Sequence, residues 1–274
     1  MKKKIIAFCM GICIIVTACG VGITKDNGEK KKETTNEIIE SQNEKTPSIV
    51  FENYSKDIKD ENSQTLLLQV TENCPSIRMN GMEETAEKMN KVFEQQHRTN
   101  EIQIEASAKL AQSAYDDLKE EERKDWKAYE FEYQYETSYA SPKIVSITGK
   151  SSEYQGVQEL DLWECSYTFD VTRGKLLTLS DIFTNVKEAK IIVAQHIADT
   201  ITTEKYAMYL MKDYENYIFD ILTEDVFYLN EHGVVVICNP NLVTSYEGGV
   251  IEVEIPYEEL REVMNETYIH IGRE

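Results

Sequence analysis

The chain is 274 residues long and carries 49 acidic against 29 basic side chains, a formal net charge of −20. Nucleic acid and anionic lipid headgroups are poor partners for such a surface, whereas a cationic partner gains encounter rate from it. His97, His196, His232 and His270 stand apart in sequence, there is no CxxC pair, no HExxH and no Gly-x-Ser-x-Gly, and Gly149-Lys150-Ser151 lacks the earlier glycine of a phosphate loop, where Ile144 stands. Metal-dependent, serine-hydrolase and nucleotide chemistry are therefore not expected, and the sequence calls for no cofactor and no resident metal.

Lys2, Lys3 and Lys4 form a basic start, and residues 5–16 form an apolar stretch. That stretch is shorter than the ~20 residues a spanning helix needs. Val16-Thr17-Ala18-Cys19 follows, small residues before a cysteine as in a bacterial lipobox. Residues 1–18 thus read as a lipoprotein signal peptide and Cys19 as the lipidated new N-terminus; the alternative is an uncleaved anchor helix. Two acyl chains, at ~0.8 kcal/mol per buried methylene, give stable anchoring, here to the extracytoplasmic face of the cell membrane. Residues 19–47 are polar, without aromatic side chains or sustained periodicity, and read as a disordered tether. The remainder divides into an N-terminal half, 48–150, and a C-terminal half, 151–274.

Residues 48–54 and 65–71 read as short strands ending before Cys74-Pro75. Asn80-Gly81 opens a helical stretch in which Met82, Ala86, Met89, Val92 and Phe93 share a face, continuing with interruptions to Arg123. Tyr129, Phe131, Tyr133 and Tyr135 alternate with polar residues as a strand; residues 144–148 return, and 149–156 link onward. The central strand follows: Trp163, Cys165, Tyr167, Phe169 and Val171 form one apolar face, with Glu164, Ser166, Thr168 and Asp170 on the face expected to be wet. Leu160 and Leu162 are out of phase, which calls for a bulge or a strand covered on both faces. Three strands with short links predict an antiparallel meander.

Gly174 suits the positive φ of a tight turn, and Ser180 and Asp181 suit a helix start. Asn185 can cap a helix over 187–201, and a second helix is predicted over 204–222, where Tyr206, Leu210, Met211, Tyr214, Tyr217, Ile218 and Ile221 recur at helical spacing. Residues 226–229 and 234–238 form a hairpin around Asn230 to Gly233; residues 251–255 form a last strand, and Pro256 starts a closing helix. The fold class is α+β, an antiparallel sheet with helices packed on it. After loss of Cys9 and Cys13 and lipidation of Cys19, Cys74, Cys165 and Cys238 remain. Cys165 and Cys238 read as small core residues, and a disulfide between them stays open if their strands are neighbours.

Tyr-x-Gly ahead of the central strand, Arg173-Gly174-Lys175 leading to Asp181-Ile182-Phe183, Phe227-Tyr228-Leu229 with Gly233-Val234-Val235-Val236, and Gly248-Gly249 before Ile255-Pro256-Tyr257 together resemble the RsiV-like extracellular domain. That module is the sensor of lysozyme-responsive anti-sigma factors and also accompanies PdaC-type peptidoglycan deacetylases. The resemblance spans roughly residues 60–265 and implies helices on antiparallel sheet. Where the family carries a Gly-Gly-Ala-His-type turn, this chain has Ser152-Glu153-Tyr154-Gln155-Gly156-Val157, without histidine. No deacetylase ligand set is found, so the expected function is non-catalytic: a cell-surface lipoprotein that binds or senses a cationic protein such as lysozyme, or another cell-wall-associated ligand. The alternative is an accessory envelope lipoprotein that binds no lysozyme. Loops carry recognition and loop aromatics anchor it, which singles out Tyr154, Gln155 and Gly156, and Tyr246 and Glu247, as candidate ligand contacts. The same glycines and tyrosines are also explained by turn geometry and packing at the core edge.

Overall fold

The structure, a computed structural model, describes residues 31–33, 46–156, 161–269 and 271. The lipobox, Cys19 and His270 lie outside the described residues. Ten strands and five α-helices are described, and the class is α+β as expected. A seven-stranded sheet runs in chain order through β1 (Lys31–Glu33), β2 (Ser48–Lys59), β3 (Leu66–Arg78), β4 (Tyr129–Ala140), β5 (Ile144–Tyr154), β6 (Asp161–Asp170) and β7 (Lys175–Leu176). Every neighbouring pair is antiparallel except β3 and β4, which run parallel. A parallel pair needs a long crossover, and helix α1 (Glu83–Asp116) supplies it. Lys31–Glu33, within the stretch read as tether, pairs with β2 on the sheet edge.

Helix α1 runs unbroken for 34 residues, where the sequence pattern implied interruptions. Ala86, Met89, Phe93, Ile104, Ala111 and Tyr115 are buried along it at helical spacing. They close one core against the sheet, with Phe93 in ring contact with Tyr135, Tyr167 and Phe169 at centroid distances of 5.2–5.7 Å. A second core lies around helix α4 (Val186–Ile201) and a three-stranded antiparallel sheet of β8 (Phe227–Leu229), β9 (Gly233–Cys238) and β10 (Ile251–Pro256). The Asn185 side chain accepts from the Glu188 N–H and caps α4 as predicted. Two single-turn helices, α3 (Leu179–Ile182) and α5 (Tyr257–Leu260), complete this half, with a short α2 (Glu120–Arg123) in the first.

Strand β6 joins the cores, and here expectation and structure part. Glu164, Ser166, Thr168 and Asp170 are buried, not wet, so the strand is covered on both faces. The second sheet reaches this face: Ser166 Oγ donates to the Phe227 carbonyl at 2.5 Å, and Ser146 Oγ on β5 donates to the Leu229 carbonyl at 2.7 Å. Asn239 makes a two-way bond to the Glu164 backbone, accepting its N–H at 2.7 Å and donating to its carbonyl at 2.8 Å. Asn73 does the same for Tyr135, at 2.5 and 3.1 Å, and Asn90 for Ile77, at 2.8 and 2.9 Å. In each case an amide side chain stands in for a neighbouring strand and satisfies both backbone groups of one residue.

Three further expectations are corrected. Strand β3 does not end before Cys74-Pro75 but runs through it. Pro75 is tolerated because pairing with β4 stops at Glu72, so one ladder bond is not missed there. Strand β5 extends through Tyr154 and absorbs most of the supposed link; residue 150 falls within it. Residues 204–222 form no continuous helix but three 3-10 turns, Ala207–Tyr209, Tyr214–Asn216 and Ile218–Asp220, with Asp213 at φ 65° between the first two. A left-handed residue ends any helix, and the apolar spacing is used instead to pin successive turns to the second core.

Candidate functional site

The two loops singled out by sequence sit on separate parts of the molecule. Tyr154 closes β5 opposite Glu130, Gln155 is half-buried, and Gly156 is exposed at φ 77° beside the Tyr129 ring. Tyr246 and Glu247 lie in a 3-10 turn before β10, where the Ser245 N–H donates to the Tyr209 carbonyl at 2.7 Å. Ser245 Oγ donates to Glu247 at 2.6 Å and lowers its pKa. Both tyrosines are half-buried, and among the described residues no side-chain hydrogen bond joins the two loops.

Between the two sheets the strand pattern assembles something else. Glu164 on β6 is 2% exposed, and its Oε1 has no hydrogen-bond partner. Lys150, opposite it on β5, places Nζ 3.6 Å from Glu164 Oε2 and 3.2 Å from Glu136 Oε1 on β4. Tyr228 on β8 donates its hydroxyl to Glu252 Oε1 on β10 at 3.1 Å. Burial pushes the Glu164 carboxyl up to about 7; Lys150 pulls the other way, while Glu252 and Glu136 add to the rise. Burial and Glu252 likewise raise the Tyr228 phenol well above its ordinary value. Three carboxylates therefore face one ammonium: Glu164 is buried, while Glu136, Glu252 and Lys150 reach solvent. Alternation alone places Glu164 on a wet surface; the out-of-phase Leu160, which lies outside the described residues, and Leu162 call for a bulge or a strand covered on both faces, and the second holds.

A second constellation escapes linear spacing altogether. Glu72 and Cys74 stand two apart on β3, so they share a side of the strand, and α1 brings His97 against them. Their ligand atoms lie within 4.8 Å of one another, and among the described residues this is the group able to hold a metal ion. Glu72 is fully buried; His97 Nδ1 lies 2.7 Å from its Oε2, and Asn100 Nδ2 donates to its Oε1 at 2.7 Å. Hydrogen bonds to Cys74 and Glu72 push the His97 imidazole up to about 10. Cys74, Cys165 and Cys238 are all free thiols. The Cys165–Cys238 disulfide does not form, because Cys165 packs in the core beneath α1 and Cys238 in the core beneath α4. Burial raises the Cys238 thiol to about 12.

This two-core α+β fold is shared with solved proteins of the DUF3298 family. A member from Bacteroides fragilis superposes with a TM-score of 0.60 at 16% identity, covering 82% of this chain and 98% of the other. A member from Pseudomonas aeruginosa does so with a TM-score of 0.53 at 12% identity, with the same coverage of each chain. Residues 180–258 match the family model described as protein of unknown function (DUF3298), from α3 through the second sheet into α5. No curated protein matches. At these identities the likeness is one of fold. Tyr228 and Glu252 lie inside the matched segment, whereas Glu136, Lys150, Glu164 and the Glu72–Cys74–His97 group lie outside it. No helix among the described residues is long and apolar enough to cross a membrane.

Proposed function

We propose that this chain is a non-catalytic binding module, held at the outer face of the membrane through Cys19, whose partner is a cationic protein of the lysozyme kind. The observation that carries the reading is the charged cluster at Glu164. Three carboxylates surround one lysine, one buried oxygen is left without a hydrogen bond, and the whole chain has a formal net charge of −20. Burial is the main cause of the raised Glu164 pKa, with Glu252 and Glu136 adding to it; a cationic side chain at the Glu136–Glu252 rim offsets that added repulsion, so the field favours arginine or lysine from a partner. The Tyr154 and Tyr246 loops supply aromatic contact at the edges of the same domain.

The test is calorimetric titration of the full chain with lysozyme, alongside a Glu136→Gln/Glu252→Gln double variant. Saturable binding at micromolar protein that weakens about tenfold in the double variant supports the reading. Absence of binding at that concentration overturns it and leaves an accessory role in the envelope as the better account.

A further inference from the structure

We infer that Glu72, Cys74 and His97 form a binding site for one divalent transition-metal ion, best matched by Zn²⁺. The donor set is one carboxylate, one thiol and one imidazole within a 4.8 Å span. Such a mixed set suits zinc and excludes magnesium and calcium, which take oxygen ligands. Tetrahedral zinc bonds of about 2.0–2.3 Å place ligand atoms roughly 3.3–3.8 Å apart. The observed span contains that separation, and the Glu72–His97 pair at 2.7 Å opens slightly once the shared proton is replaced by an ion.

The surroundings are those of a metal site rather than of a chance cluster. His97 presents Nδ1 to Glu72, and its Nε2 lies 3.9 Å from Glu101 Oε1, one helical turn on, too far for a hydrogen bond but close enough for charge attraction. Asn100 fixes the other oxygen of Glu72, and Gln96 Nε2 in turn fixes Asn100 Oδ1 at 2.9 Å. Glu72 is paired in register with Tyr54 on one side and Tyr133 on the other, and Cys74 with Glu52 on β2, so both donors sit at fixed register positions of the sheet. His97 and Cys74 are only part-buried, which gives an ion a path from solvent and leaves the fourth position for water.

The experiment is titration of the full chain, reduced with a non-chelating phosphine, with Co²⁺ and then Zn²⁺, followed by optical absorption and native mass spectrometry. The expected result is one Co²⁺ per chain with a thiolate-to-cobalt charge-transfer band, bleached by one equivalent of Zn²⁺. Cys74→Ser removes the band, and Asn100→Ala weakens zinc binding by about 10–100-fold with the far-ultraviolet circular dichroism unchanged. Failure of the wild-type chain to bind stoichiometrically overturns the inference, whether or not the variants fold. So does a wild-type charge-transfer band that persists in Cys74→Ser.

Discussion

Glu164 and Lys150 face each other across β6 and β5 at 3.6 Å, yet the glutamate keeps one buried oxygen without any hydrogen bond. A carboxylate so placed is less costly protonated than ionised.

Stability should therefore fall as pH rises through this group. Its folded pKa, about 7, lies above the unfolded value near 4.5, so the folded chain holds the extra proton between them. The contribution is fully present below pH 4.5 and lost on passing pH 7. Glu164→Gln should raise stability by about 2–3 kcal/mol at pH 8.5 and change it little near pH 4.5. Urea denaturation at the two pH values checks this; an equal effect at both removes Glu164 from the account.

Lys150→Met tests the partner. At pH 8.5 it leaves the buried carboxylate without its opposing ammonium and should cost about 1–3 kcal/mol, whereas near pH 4.5 the cost should be small. In a Glu164→Gln background the penalty should largely vanish, as a double-mutant cycle by denaturation reads directly.

Asn239→Ala leaves both the N–H and the carbonyl of Glu164 unsatisfied inside the protein. A loss of about 2–4 kcal/mol is expected from two such buried groups, with hydrogen exchange accelerated first at residues 163–166. Asn239→Asp keeps the acceptor but not the donor and should recover only part of the loss.

Much of the fold was legible because periodicity reports burial on one face. The tyrosine alternation of β4, the Asn185 cap and the β8–β9 hairpin all follow from local pattern. What pattern cannot report is which second element arrives. Ser166 and Thr168 look like a wet face, but their hydroxyls bond to strand atoms far away in sequence, and Asp170 is held by the following turn through Thr172 and Arg173 and covered by Tyr268. Tyr214 and Ile218 keep helical spacing although Asp213 turns the chain between short segments. Glu72, Cys74 and His97 form no motif because strand and helix meet only in the tertiary fold; Gln96, His97, Asn100 and Glu101 lie on adjacent turns of α1 as a local polar patch.

Loop contact has its own signature. Tyr154→Ala and Tyr246→Ala should each weaken partner binding by about 1–2 kcal/mol while thermal stability stays nearly unchanged. Parallel loss of affinity and melting temperature would instead make both tyrosines part of the core edge.

The central claim, recognition of a cationic protein by an acidic surface, is tested most directly by the association rate of lysozyme with the full chain at rising ionic strength. Surface charges separated by more than about 8 Å are screened at physiological salt. The account predicts binding whose on-rate falls by about tenfold or more between low and physiological salt, with a much smaller change in off-rate. An on-rate independent of salt, or no association at micromolar lysozyme, would contradict it.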